Sequence, residues 1–199
     1  NFAWYSDPIF LGQYPEEAVK ALGPNLPDFT DADMEIISQP VDYCGLNLYS
    51  GFPVVADAER TWACVDRPLG NPLTAFKWSV TPEIMYWAPK FFYERYQLPI
   101  YVAENGMSAH DWVEDDGLVH DPQRIQFLKA YLREYLRASQ EGIPIKGYFL
   151  WSLMDNFEWE QGYEERFGII HVDFETQQRR LKDSAHWYAD CIASNGSVL

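Results

Sequence analysis

The stretch Ile100-Tyr101-Val102-Ala103-Glu104-Asn105-Gly106 decides the fold. Four apolar, β-prone residues follow Pro99 and end at an acidic side chain and the turn pair Asn105-Gly106. That is the pattern of a buried strand emerging into a loop. A carboxylate at the C-terminal end of a buried strand is costly to desolvate unless it is paired or used. In barrels of parallel strands, that end carries the chemistry. Taken alone, Glu104 is either such a group or a residue that caps a turn or meets an arginine on the surface.

Gly147-Tyr148-Phe149-Leu150-Trp151-Ser152-Leu153 is a second buried-strand run. It leads into Met154-Asp155-Asn156-Phe157-Glu158-Trp159-Glu160, then Gly162-Tyr163-Glu164-Glu165-Arg166-Phe167-Gly168. Carboxylates and indoles interleave just past a strand end. A sugar asks for that mixture, because its ring offers flat C–H faces to aromatics and its hydroxyls bond to carboxylates. Upstream, Val41 to Tyr49 reads as another strand, Val-Asp-Tyr-Cys-Gly-Leu-Asn-Leu-Tyr.

Together with the tail to Tyr188, these stretches resemble family 1 glycoside hydrolases, the β-glucosidase family, over most of the chain. The carriers of the resemblance are Glu104-Asn105-Gly106, Trp151-Ser152-Leu153 and Asp155-Asn156-Phe157-Glu158-Trp159. It implies an α/β fold, the C-terminal part of a (β/α)8 TIM barrel with parallel strands alternating with helices. It implies retaining hydrolysis of a β-glycoside by carboxylates about 5–5.5 Å apart. Glu104 would be the nucleophile and Tyr49 the hydroxyl that contacts it. Asn47 matches an active-site asparagine, while Leu48 departs from the family's usual Tyr. Trp151 would be the platform beneath the sugar. Glu158 would accept from two hydroxyls, Trp159 would donate to a third, and Phe167 would line the pocket. Trp78 joins them as a substrate-binding candidate. Relatives acting on phosphorylated glycosides carry cations and hydroxyls where Glu158-Trp159 stands, so the carboxylate points to unphosphorylated substrates. No metal or organic cofactor is implied.

The resemblance also marks a gap. The family's general acid is a Glu in a Thr-x-Asn-Glu-Pro motif on an earlier strand, and no Asn-Glu-Pro stands in this sequence. The family's earlier Arg, His and Gln sugar contacts are missing too. A complete barrel takes about 250 residues, and this chain has 199. Residues 1–199 are therefore expected to form the C-terminal half of one barrel domain, active only with a complementary N-terminal half from outside the chain. Unpaired sheet edges would invite that half or a second copy. The alternative is a non-catalytic sugar-binding or structural half-barrel lacking the acid.

Composition bounds the rest. Hydrophobic residues at 47% and charged residues at 23% fit a globular chain. A net charge of −15 excludes nucleic acid as a partner, since phosphates would be repelled. No apolar run approaches the ~20 residues of a membrane span. Cys44, Cys64 and Cys191 are odd in number and widely spaced, which argues against a disulfide framework or a zinc site and for a reducing, cytoplasmic compartment. The chain begins at Asn1 rather than Met, so any targeting signal is expected to lie outside it.

Along the chain, residues 1–14 read as irregular. Pro15 opens a short helix that Gly23 ends. Thr30 caps a helix to about Ser38. Residues 50–80 read as one long loop holding Arg60, Trp62, Arg67 and Trp78. Thr81-Pro82-Glu83 starts a helix to about Tyr96 that Pro89 should bend or delay. Residues 107–121 read as an acidic, solvated face with Asp111, Glu114, Asp115 and Asp116. Asp121-Pro122 begins a helix with Ile125, Leu128, Leu132 and Leu136 at helical spacing, closed by Gly142. A strand over 146–153 and a helix over about 182–194 follow. The alternation implies right-handed crossovers and a parallel sheet.

Overall fold

The computed structural model describes residues 2–59 and 61–199. Arg60, assigned above to the long loop, lies outside them. The strands are β1 (Cys44–Asn47), β2 (Val54–Asp57), β3 (Thr61–Cys64), β4 (Ile100–Asn105), β5 (Ile145–Leu150), β6 (Ile170–Val172) and β7 (Arg179–Leu181). The helices are α1 (Ala3–Leu11), α2 (Glu16–Leu22), α3 (Asp31–Ile37), α4 (Ile84–Tyr96), α5 (Pro122–Gln140) and α6 (Asp183–Ala193). β1, β4 and β5 form one parallel sheet in that order, with α4 and α5 as the connections. Cys44 pairs with Ile100, and Ile100 with Ile145, so the three C-terminal ends open side by side.

One face of the sheet carries the core. Cys44, Leu46, Ile100 and Val102 pack on Met85, Phe92, Phe127, Leu128 and Tyr131 from α4 and α5. Ile100, Val102 and Leu128 are wholly enclosed, and each such side chain contributes about 1.5–3 kcal/mol. The opposite face is open among the described residues. Tyr43 and Phe149 are 55% and 59% exposed, and the Tyr43 ring meets Tyr101 edge-on at 4.8 Å. In a closed barrel, layers of side chains fill this face.

The helices depart from the sequence reading in instructive ways. α5 begins and ends where expected, but its buried stripe is Arg124, Phe127, Leu128, Tyr131, Leu132, Tyr135 and Ala138. Leu136 is exposed and Ile125 only half-buried. The tyrosines belong inside because their hydroxyls find partners there. Tyr131 donates to the Tyr49 carbonyl at 3.0 Å and accepts from the Thr81 amide at 2.8 Å, and Tyr135 donates to the Gly147 carbonyl at 2.9 Å. α4 starts at Ile84, after Thr81, Pro82 and Glu83 carbonyls take i→i+3 bonds that tighten its first turn. It then runs on through the buried Pro89.

Within the stretch read as irregular, Ala3–Leu11 form α1 despite Pro8. Tertiary bonds hold it, since Arg95 Nε and the Tyr96 hydroxyl donate to Asp7 Oδ1 at 2.7 and 2.6 Å. The long loop contains the β2–β3 hairpin, whose four-residue strands are joined without an Asn-Gly or Asp-Gly turn signal. Thr30 caps α3 with a reciprocal Asp33 bond, as the sequence indicates. No helix among the described residues is long and apolar enough to cross a membrane.

Candidate active site

The strand ends assemble the site. The ladder continues past the strands, with the Leu48 amide donating to the Glu104 carbonyl and the Trp151 amide to the Asn105 carbonyl, both at 2.8 Å. Asn105 is fully buried and braces both neighbours. Its Nδ2 donates to the Leu48 carbonyl at 2.6 Å, and its Oδ1 accepts from the Tyr148 hydroxyl at 2.8 Å. Gly106 then lets the β5 loop close in, because a Cβ there would stand 1.7 Å from the Trp151 carbonyl oxygen.

A cavity of about 430 Å³ opens over these ends. It gathers Tyr49, Trp78, Glu104, Trp151, Glu158, Trp159 and Phe167, all singled out from the sequence. Asn47 is not among its lining. It pairs with Glu104 in the β1–β4 register and is exposed on the open side of the sheet. Phe76, Glu160 and Gln161 also line the cavity and were not identified from the sequence. Phe76 packs on Trp78 with ring centroids at 4.5 Å, inside a segment read only as long loop.

The Tyr49 hydroxyl donates to Glu104 Oε2 at 2.8 Å. Burial pushes the Tyr49 phenol well up, and the bond to Glu104 pushes it further, so Tyr49 stays protonated as a donor at neutral pH. Its ring lies 5.0 Å from that of Trp78 and 6.3 Å from that of Phe167. Trp151 Nε1 donates to Glu158 Oε2 at 3.2 Å. The neighbouring Trp159 has a left-handed φ of 47°, a conformation that costs a bulky residue about 1–3 kcal/mol. The turn around it is closed by the Glu158 amide donating to the Gly162 carbonyl at 2.7 Å. Trp159 is 79% exposed.

A buried charge network joins the loops after β4 and β5 to the N-terminal ends of α5 and α6. Lys182 Nζ donates to Asp111 Oδ2 at 2.5 Å and to Asp155 Oδ1 at 2.9 Å. Arg124 donates to Asp111 at 2.7 Å, to Asp121, and to the Arg166 carbonyl at 2.9 Å. Arg166 in turn donates to Asp155 Oδ2 at 2.5 Å. The acidic loop is therefore not simply a solvated face: Asp111 turns inward, its side chain 3% exposed. Burial opposes its charge, but Arg124 and Lys182 outweigh that and hold the carboxyl below its usual range. Asp155 also accepts from the Gly168 amide at 3.0 Å, pinning the far end of the Trp151–Gly168 loop. Among the described residues no group of His, Cys, Asp and Glu is arranged to hold a metal ion.

Comparison with known proteins follows the same lines. The model of glycosyl hydrolase family 1 matches residues 1–197. Beta-glucosidase A of Thermotoga maritima is 44% identical over 199 residues, which cover 98% of this chain and 44% of the relative. A beta-glucosidase of Agrobacterium is 39% identical, over 93% of this chain and 41% of the relative. The solved structure of the Thermotoga maritima beta-glucosidase in complex with noeuromycin superposes with a TM-score of 0.88 at 44% identity, again over 98% of this chain and 44% of that one. The chain thus spans under half the length of these relatives, and its strands and helices are part of a (β/α)8 barrel.

Proposed function

The chain belongs to glycosyl hydrolase family 1, and from that membership we propose that its cavity is the nucleophile side of a retaining β-glucosidase site. The observation that carries this reading is the 2.8 Å bond from Tyr49 to Glu104, at the floor of an aromatic cavity. Glu104 attacks the anomeric carbon as the bond to the leaving oxygen breaks, and water later hydrolyses the glycosyl ester. Tyr49 engages Oε2 and leaves Oε1 for the attack. Trp151 lies beneath the sugar ring. Glu158, with one oxygen on the Trp151 N–H, keeps acceptor capacity for two hydroxyls. Trp159 donates its indole N–H to a third; Asn47, exposed and outside the cavity lining, is left out of this set. No lysine or arginine lines the described cavity, which supports an unphosphorylated β-glucoside, galactoside or fucoside.

The proton for the leaving oxygen comes from a complementary N-terminal half-barrel. In support, the relatives are more than twice as long, the outer edges of β1 and β5 have no strand paired to them among the described residues, and Tyr43 and Phe149 lie on the open face. The three free cysteines support a reducing compartment. The test assays cellobiose hydrolysis by residues 1–199 alone and mixed with the portion of the Thermotoga maritima relative that this chain does not cover. The chain alone should be inert and the mixture active. A deoxyfluoro-glucoside inactivator should then label Glu104. Turnover by the monomeric chain refutes the partner requirement, and a label on another residue refutes the nucleophile.

A further inference from the structure

The bond from Tyr49 to Glu104 depends on aim. Tyr49 stands past the end of β1, whose ladder to β4 carries on to the Leu48 amide. Its hydroxyl is a ring's length from its own backbone, and an O–H···O bond weakens steeply as its angle falls toward about 120°. Trp78 and Phe167 flank the ring at 5.0 and 6.3 Å, but apolar contact is non-directional and does not aim a hydroxyl. The backbone is aimed from outside the sheet. The Tyr131 hydroxyl on α5 donates to the Tyr49 carbonyl at 3.0 Å and accepts from the Thr81 amide at 2.8 Å. Thr81 Oγ1 in turn accepts from the Gly51 amide at 2.7 Å. Two residues, Tyr131 and Thr81, thus hold both ends of Tyr49-Ser50-Gly51 and tie them to each other. Tyr131 is a rigid post for this: it is wholly buried and stacked on Phe127, with ring centroids 3.8 Å apart. Burial also pushes its phenol up, so it keeps the proton it donates.

We propose that Tyr131 is a positioning residue for the reaction: with Thr81 it clamps the segment 49–51 so that the Tyr49 hydroxyl points at Glu104. It touches no substrate and acts only through Tyr49. This rests on the reading of Glu104 as the nucleophile and Tyr49 as its donor. Small displacements of a positioned group cost rate rather than binding, by up to about a hundredfold for 1 Å.

The experiment reads the Tyr49 hydroxyl proton by NMR in residues 1–199, where a phenol bonded to a carboxylate gives a downfield, slowly exchanging signal. The native chain should show one such signal that Tyr49→Phe removes. Tyr131→Phe keeps the ring and loses the clamp, so the Tyr49 proton should exchange about tenfold faster or more. Thr81→Val should act in the same direction, and it decides the matter where Tyr131→Phe does not fold. Tyr135→Phe is the control: it makes the same change at a buried tyrosine of the same helix, whose hydroxyl goes to the Gly147 carbonyl, and should leave the signal in place. In the mixture with the complementary half, Tyr131→Phe should lower the limiting rate of inactivation by the deoxyfluoro-glucoside by about three- to thirtyfold with half-saturation unmoved. In a Tyr49→Phe background it should slow inactivation no further. If Tyr131→Phe and Thr81→Val leave signal and rate as in the native chain, the clamp is refuted. If Tyr135→Phe disturbs the signal equally, general loosening of α5 is the cause and Tyr131 has no special part. If Tyr131→Phe slows the Tyr49→Phe protein as much as the native one, it acts by another route and the proposal fails while the site stands. If the native chain shows no signal that Tyr49→Phe removes, the Tyr49–Glu104 bond falls and takes the clamp with it. The proton measurement needs no partner half, so it decides even where the mixture is inert.

Discussion

Two trios of carboxylates stand on the same few loops and live opposite lives. Asp111, Asp121 and Asp155 are each 3% exposed or less, and each is bonded to Arg124, Arg166 or Lys182. Glu104 and Glu158 accept instead from neutral donors, the Tyr49 hydroxyl and the Trp151 N–H, and Glu160 stands open at the rim. The cations have gone to the scaffold and the neutral donors to the cavity. A carboxylate closed off by a cation has its charge spent and its lone pairs filled. One held by a phenol or an indole is oriented but keeps lone pairs free for a further partner. Charge pairing separates the two trios here.

The largest effect should come from breaking the scaffold trio. Lys182→Met leaves Asp111 and Asp155 each short of a cation in a buried site. It should cost about 3–5 kcal/mol in chemical denaturation, because an uncompensated buried charge remains. A loss below about 1 kcal/mol would mean that water or a shifted arginine replaces Lys182, and the contrast between the trios would collapse. Glu158→Ala should do the reverse. We expect methyl β-glucoside to bind about ten- to a hundredfold more weakly, the equivalent of about 1.5–3 kcal/mol for a charged hydrogen bond, with the denaturation midpoint nearly unmoved. Calorimetric titration checks it, and an unchanged Kd would return Glu158 to the solvated rim.

The smallest effect concerns a carboxylate pair whose cation can be switched off. His120 bonds to Asp116 at 3.0 Å and to Asp183 at 2.6 Å. The bonds to Asp116 and Asp183 raise the imidazole to about 9 from an ordinary 6.5. A folded value above the unfolded one means that the stabilisation is fully present below about 6.5 and is lost as pH rises through about 9. The melting temperature should therefore sag across that window, and His120→Gln should flatten the sag. An identical profile in the two proteins would remove His120 from the account.

The sequence indicated which residues line the cavity better than it indicated the scaffold. Glu104 at a strand end, Tyr49, and the indoles of the Trp151–Trp159 segment were readable because local pattern and a family resemblance both spoke for them. The alternating strands and helices were readable because β4 is a short apolar run ending at a turn pair and α5 a long stretch bounded by Asp121-Pro122 and Gly142. Asp111 was misread because its partner Lys182 lies 71 residues away, and no local pattern announces that pairing. α1 was missed because Pro8 spoke against a helix and only Arg95 and Tyr96, far along the chain, speak for it. Glu160 was missed for a different reason. Its place at the rim depends on the left-handed turn at Trp159, and bulky residues rarely declare such a turn in sequence.

Gly106 has a consequence for anyone mutating this protein at scale. With the Trp151 carbonyl 1.7 Å from where its Cβ would stand, the position accepts one residue out of the whole alphabet unless the neighbouring loop retreats. A saturation screen would score it as intolerant as Glu104, though it moves no proton and touches no sugar. A tolerance map of this chain would thus mark two adjacent kinds of position alike, one reserved for reactivity and one for clearance. Only a second screen, pairing changes at Gly106 with a shortened or rebuilt loop at Trp151, would tell them apart: clearance can be restored from the other side, and the nucleophile proposed at Glu104 cannot.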